Sequence, residues 1–464
     1  MSDPLPLPMA PFEHYMLEDD RPDYPMTFVL EMTLRGEGRR DIFDRALEVA
    51  LSRHPLLQSV VRRRFLRKPQ WVSAPDPRPH VDWGTWDDPV DCENEHLDLT
   101  QEVGVRFWVR VGDHRTRVVV QFHHCCCDAH GGLLFLTDLI TAYANCLPGC
   151  DADRYRLNDV DAQQLKRRDH LATHLWEPEK RWDFIKRTIM HTLRVLGRPA
   201  SPLAIPEKRA LGQRRTPLAF PGNLTRTLDV SVYRRLRKLA RRNSATVNDL
   251  LLRELFLTMR EWNTQVTTKK TGRWYSIAIP TNLRSIEQDR LPAANVLSYW
   301  FSIRGVSEMD DPEQLLRTIR DENEFVKRSR YTTVFLDMMR MVQRLPGALR
   351  LACLKQKCMS SVVLSYVGNP TRVLTERVPT NELGEPAFGN LALVDVNAAP
   401  PVRPKTRASF TVWHFEEKMR VGLRCDPYHF TTEDADMLLG MYVDRIEALV
   451  ESVGTGKTDR TAAA

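Results

Sequence analysis

The chain has 464 residues, is 42% hydrophobic and 27% charged, and carries a net charge of +7. That length exceeds a single hydrophobic core, so two lobes are expected, and the composition excludes a disordered or fibrous protein. No apolar run approaches the ~20 residues that span a bilayer.

The first eleven residues hold four prolines and no apolar core, so a secretory signal is not expected. Nine cysteines, three of them consecutive, argue for a reducing compartment and a cytoplasmic location rather than a disulfide framework. Asn223-Leu224-Thr225 is then a chance sequon. Charge is concentrated in 165–215, with 13 Lys or Arg against 5 Asp or Glu, leaving the rest near neutral. With no zinc-finger, RNA-recognition or helix-turn-helix pattern, nucleic acid is excluded as a partner.

In chain order, 25–34 reads as a strand. A helix follows over 41–52, with Ile42, Phe43, Ala46, Leu47, Ala50 and Leu51 at helical spacing, and Pro55 stops it. Residues 57–64 and 70–72 read as a strand pair. Residues 103–111 and 115–122 read as a hairpin turning at Gly112-Asp113-His114. Leu133 to Ile140 reads as the start of a buried helix. Trp182, Ile185, Ile189, Leu193 and Leu196 share one helical face, and Gly197 and Pro199 end that helix. The proline-rich 202–221 reads as a linker or loop. Strand 224–230, helix 231–243 and a helix opening at 245–249, capped by Thr246 or Asn248, come next. Strands over 273–279 and 362–367, a hairpin of 409–415 with 419–425, and an amphipathic helix over 432–450 complete the pattern. The last residues read as a disordered tail.

The densest chemistry lies in His123-His124-Cys125-Cys126-Cys127-Asp128-Ala129-His130-Gly131-Gly132. This stretch falls between a β-branched strand and a helix, so the histidines occupy a tight turn at a strand end. Neutral imidazole is well suited to take a proton near pH 7. A metal site, an aspartate-oriented triad and a lone general base all fit the residue types. Adjacent strand residues face opposite ways, so three neighbouring cysteines cannot close on one ion. No metal is expected, and the thiols read as packing.

These pieces resemble the condensation-domain and CoA-dependent acyltransferase superfamily, whose fold is similar to chloramphenicol acetyltransferase. The likeness rests on a His-His-x-x-x-Asp motif at His123, His124 and Asp128, with Ala129 in place of the motif's glycine. It rests also on Arg53-His54-Pro55-Leu56-Leu57, Thr246-Val247-Asn248-Asp249, Pro280-Thr281-Asn282-Leu283-Arg284 and Ser365-Tyr366-Val367-Gly368. Tyr366 replaces an asparagine found in several relatives. If the turn required positive φ at Ala129, alanine there would cost about 1 kcal/mol.

The resemblance implies an α/β (α+β) fold of two chloramphenicol-acetyltransferase-like lobes, a pseudo-dimer with a tunnel between them. The implied boundaries are an N-terminal lobe over 1–200, a linker over 201–222, a C-terminal lobe over 223–453 and a tail over 454–464. It implies an acyltransferase that moves an acyl group from a pantetheine thioester to a hydroxyl or amine. The donor would be acyl-CoA or an acidic acyl-carrier protein in trans, as co-substrate, with no bound cofactor. His124 would be the general base, supported by His123. Asp128 would pair with Arg284 and hold the turn. Ser365, Gly132 and Asn282 would bind substrate. The alternatives are a catalytically degenerate module that recruits a partner, or a lipid-surface acyltransferase of the wax-ester or diacylglycerol type.

The basic helix near 180–198 has three readings: packing between lobes with a solvated rim, contact with a membrane surface, or docking of a carrier protein or coenzyme A phosphates. Gly454-Thr455-Gly456-Lys457-Thr458 imitates a phosphate loop, but Glu451 stands where the first glycine belongs, so nucleotide binding is excluded there.

Overall fold

The computed structural model describes the chain apart from residues 1–3, 65–66, 93–94, 150–154, 170–180, 207–219, 270, 285–287, 356, 371–377, 416–417 and 456–464. Its first half contains β1 (Leu7–Pro8), α1 (Pro11–Asp19), β2 (Thr27–Arg35), α2 (Arg40–Arg53), β3 (Ser59–Arg64), β4 (Arg67–Ser73), β5 (His80–Thr85), β6 (Val105–Gly112), β7 (Arg115–His123) and α3 (Ala129–Asn145). Then come α4 (Arg181–Gly197), β8 (Leu224–Leu228), α5 (Val230–Arg242), α6 (Val247–Val266), β9 (Trp274–Asn282) and β10 (Leu297–Gly305). The chain continues through α7 (Pro312–Arg328), α8 (Val334–Val342), α9 (Ala348–Leu354) and β11 (Val362–Gly368). It closes with β12 (Ala387–Phe388), β13 (Leu391–Ala399), β14 (Ala408–Phe415), β15 (Lys418–Cys425) and α10 (Thr432–Thr455).

Two six-stranded sheets organise these elements. The first has the order β12-β13-β2-β7-β6-β5 and the second β10-β9-β11-β14-β15-β8; a three-stranded β1-β4-β3 sheet stands apart. The β6–β7 hairpin forms where alternation predicts it, with Val118 and Val120 buried on one face and Val119 packed on the other. Helix α2 buries the same six apolar residues that its spacing singles out. Thr246, not Asn248, caps α6: its hydroxyl accepts from Asp249 N at 3.2 Å, and Asp249 accepts in return from Thr246 N at 2.7 Å.

Chain order does not follow the sheets everywhere. Residues 387–399, expected within the C-terminal lobe, pair with the first sheet, β13 lying antiparallel to β2 from Ala392 opposite Arg35 to Ala399 opposite Val29. The physical reason is burial on two sides. Leu393 and Val396 join the first core, while the Trp413 indole on β14 donates to Val396 O at 3.1 Å. Residues 201–206 of the expected linker are held to the second sheet, with Ser201 N bonded to Trp274 O and Leu203 buried in the second core; 207–219 lie outside the described residues. Helix α10 runs on to Thr455, into the expected tail, and the rest of that tail also lies outside them.

Candidate active site

Strand β7 ends at His123, and α3 begins at Ala129. Between them the chain makes a tight buried turn. His123 N donates to Gly104 O, and His124 N donates to Met26 O, each at 2.8 Å. Asp128 caps α3 by accepting from Gly131 N at 2.9 Å. Ala129 is the first residue of α3 and has no positive φ, so the alanine-for-glycine exchange costs no backbone strain. Glycine is required two residues later. A Cβ at Gly131 would stand 2.9 Å from Ala294 O and 3.0 Å from Cys127 Cβ.

Segment 293–296, from the second half of the chain, grips this turn one residue at a time. Ala293 N donates to His54 Nδ1 at 2.9 Å, and Ala294 O accepts from Asp128 N at 3.3 Å. Asn295 Nδ2 donates to His124 O at 2.6 Å and lies 3.3 Å from His124 Nδ1. Val296 N donates to Asp128 Oδ2 at 2.9 Å. His54 is itself fully buried against Asp138 of α3, which also accepts from Arg53 and from Asn158. The Arg-His-Pro segment thus clamps the end of α2, α3 and the 293–296 segment together.

Asp128 is turned toward this frame. Arg284 Nη1 donates to its Oδ2 at 2.7 Å, and Arg284 Nη2 donates to Ala294 O at 2.7 Å. Burial disfavours the charge, but the Arg284 guanidinium and the Val296 and Gly131 amides outweigh it and hold the carboxyl below the usual range. Among the described residues no hydrogen bond joins Asp128 to His124. His123 is buried, accepts from Cys125 N at 3.1 Å through Nδ1, and makes a long 3.4 Å contact from Nε2 to Asp20.

His124 is buried beside Phe28, ring centroids 4.8 Å apart. Burial pushes its pKa down to about 4, more than Asp128 and nearby backbone groups pull it up, so the imidazole is neutral near pH 7. Two cavities meet at this ring. The smaller, about 80 Å³, is mostly apolar and lies between β2, α3, β11, β13 and β14, with Phe28, Leu30, Leu133, Val396 and Trp413 in its walls. The larger, about 240 Å³, is lined by Asn282, Tyr299, Tyr366 and Arg403, with Asp128 and His130 also at its edge. Ser365 borders both, and its hydroxyl makes no hydrogen bond among the described residues.

His124, Ser365 and Asn282 therefore converge. Gly132 does not border either cavity; it packs α3 onto β2, where a Cβ would meet Leu30 at 3.0 Å. Cys125, Cys126 and Cys127 are fully buried, and burial raises all three thiols far from thiolate character. Among the described residues, no three His, Cys, Asp or Glu side chains are grouped to hold a metal. Sequence reading missed Asn295 and Arg403, which lie in segments without a periodic pattern, and Tyr299, although Leu297, Tyr299, Phe301 and Ile303 alternate along β10. It also missed His414, whose Nε2 shares a 2.8 Å hydrogen bond with the Tyr366 hydroxyl.

No family model matches the chain. Two uncharacterized proteins of Mycobacterium tuberculosis, from strains CDC 1551 / Oshkosh and H37Rv, are each 24% identical over 374 residues, 73% of this chain and 78% of theirs. The first condensation domain of the CDA synthetase superposes with a TM-score of 0.68 at 13% identity, covering 96% of both chains. This chain has the condensation-domain fold. The X-domain from teicoplanin biosynthesis gives a TM-score of 0.66 at 15% identity over 97% of this chain and 96% of its own. A mutant starter condensation domain of rhizomide synthetase, solved with C8-CoA and Leu-SNAC, gives 0.65 at 11% identity over 96% and 94%. The two six-stranded sheets are the two lobes of that fold. No helix among the described residues is long and apolar enough to cross a membrane.

Proposed function

We propose that this chain is an acyltransferase of the condensation type, moving an acyl group from a pantetheine thioester to a hydroxyl or amine. The observation that carries the reading is the neutral, buried His124 at the meeting of an apolar and a more polar cavity. The apolar cavity suits the acyl chain. The acceptor oxygen or nitrogen attacks the thioester carbonyl while its proton passes to His124. Asn295 Nδ2 lies near the Nδ1 edge of the ring but donates to His124 O; the base form presents a free Nε2 to the substrate and shares its ring proton with the backbone carbonyls of the turn that raise its pKa. The Ser365 hydroxyl donates to the tetrahedral oxyanion. Collapse breaks the carbon–sulfur bond, and the thiolate takes the proton from His124, which returns to its neutral form. Asp128 and Arg284 position the turn and do not take part in proton transfer. Coenzyme A or a carrier protein in trans supplies the thioester; the starter condensation domain solved with C8-CoA lends support to the former.

Acceptor-dependent release of free thiol tests this, using a panel of acyl-CoA and carrier-bound donors with alcohols and amines. Wild type should exceed His124→Ala by ~10²–10⁴-fold. If wild type releases no more thiol than the variant with either donor class, the fold serves recruitment instead.

A further inference from the structure

Large apolar side chains are left uncovered on several neighbouring segments of this protein. Among the described residues twelve large hydrophobics are exposed, and nine lie on neighbouring segments: four on α4, one on α7, one on α8 and three between Leu345 and Leu354. On α4 they are Trp182, Ile189, Met190 and Leu193, at helical spacings of one face, so the stripe that could have packed between lobes faces solvent. The helix packs on α8, and Arg194 pairs with Glu322 of α7.

Cations border the 345–354 part of this apolar surface. From Met341 to Met359 the sequence has no acidic residue, while Arg344, Arg350, Lys355 and Lys357 are exposed there and form no ion pair among the described residues. Arg64, Arg67 and Lys68 of the β3–β4 hairpin face Arg344 and Arg350 across a groove of about 540 Å³. Beside it a second cavity, about 350 Å³, opens between α1 and α9, with Leu351, Lys355 and Lys357 at its rim. Its inner wall is Arg403, paired with Asp19, and Arg403 also borders the cavity at His124.

We propose that this face docks on an anionic lipid surface, and that a lipid-borne substrate enters through the cavity between α1 and α9. The second half of that statement rests on the acyltransferase reading; the docking does not. Bilayer recognition matches the chemistry because exposed apolar side chains insert between headgroups while flanking Lys and Arg neutralise phosphate. The breadth of the face favours a bilayer over an acidic protein: Trp182 and Leu193 alone are ~16 Å apart along α4, and the apolar residues continue onto three further segments.

Flotation of the full chain with vesicles tests the docking. Vesicles of three parts phosphatidylcholine to one part phosphatidylglycerol should carry wild type upward, with less binding in high salt. Ile189→Glu/Leu193→Glu and, independently, Arg344→Glu/Arg350→Glu should each lower the bound fraction about tenfold or more. Wild type that stays at the bottom, or variants that float as well as wild type, would overturn the docking. So would an acidic carrier protein that binds wild type but not these variants when vesicles bind neither. Thiol release with a soluble acceptor should be unchanged in both variants, and release with a vesicle-embedded acceptor should fall with flotation. Equal loss with both acceptors would overturn the entry route. Floating wild type that releases no thiol with any donor would overturn the acyltransferase reading and leave the docking standing.

Discussion

Replacing Asp128 separates a structural carboxylate from a catalytic one. Its side chain is 1% exposed and that of Arg284 10%. Alanine at 128 removes the α3 cap, worth ~1 kcal/mol. It leaves the Val296 amide without its acceptor, ~1–3 kcal/mol. It also strands the Arg284 guanidinium, and breaking a buried pair costs ~3–5 kcal/mol. These terms share the same relaxation and do not add, so the largest sets the expectation: Asp128→Ala loses ~3–5 kcal/mol. Asp128→Asn keeps one acceptor oxygen but sets an NH2 against the donors of the other site, either Gly131 N or Val296 N with Arg284, so it too should lose stability. Arg284→Ala in the Asp128→Ala background should cost less than in wild type, because the guanidinium is already unpaired. The assay is denaturant unfolding followed by tryptophan fluorescence, beside thiol release per folded molecule. A triad carboxylate behaves otherwise: Asp128→Asn would cut the rate ~10⁴-fold at near wild-type stability. That result would refute the argument.

The remaining predictions concern the same frame. His124 titrates near 4 in the folded chain, while an unfolded imidazole binds its proton from about 6.5 downward. Folding stability should therefore fall as pH drops through that window, by about 3 kcal/mol from this group at pH 4, measured as melting temperature against pH; His124→Ala should flatten that slope, and an unchanged slope would contradict the buried neutral ring. Over the range where the protein stays folded, kcat/KM should show no acid limb near 6.5. Gly131→Ala should lower stability by ~1–3 kcal/mol through overpacking against Ala294, whereas Ala129→Gly should not stabilise, read as paired thermal melts. Asn295→Ala should cost ~1–2 kcal/mol for the donor lost to His124 O and lower kcat more than it raises KM, read by steady-state thiol release.

Some of this is legible in the sequence. The alternating Val118, Val119 and Val120 specify a strand packed on both faces, because successive side chains point opposite ways. The apolar spacing of α2 specifies its buried stripe, and Thr246 with Asp249 specifies a helix start. The turn at His123 to Gly131 is readable as a strand end running into a helix. Segment 293–296 was not readable. Ala-Ala-Asn-Val has no period and no turn signature, and its role comes from where the tertiary fold lays its backbone. The exchange of β13 was equally hidden, since Leu391 to Ala399 would suit an edge of either sheet.

The sequence by itself determined the local conformations and the residue types available for chemistry, because period, capping and turn geometry act over a few residues. It placed two histidines and an aspartate on one turn. Only the tertiary structure decided which of them stands where both cavities meet. That choice depends on Arg284 and Val296 drawing Asp128 away, on Asn295 gripping His124, and on two sheets approaching closely enough to leave space beside one imidazole. Tertiary packing likewise decided that Trp182, Ile189, Met190 and Leu193 of α4 stay open to solvent, because nothing in the helix's own period says which side a neighbour will take.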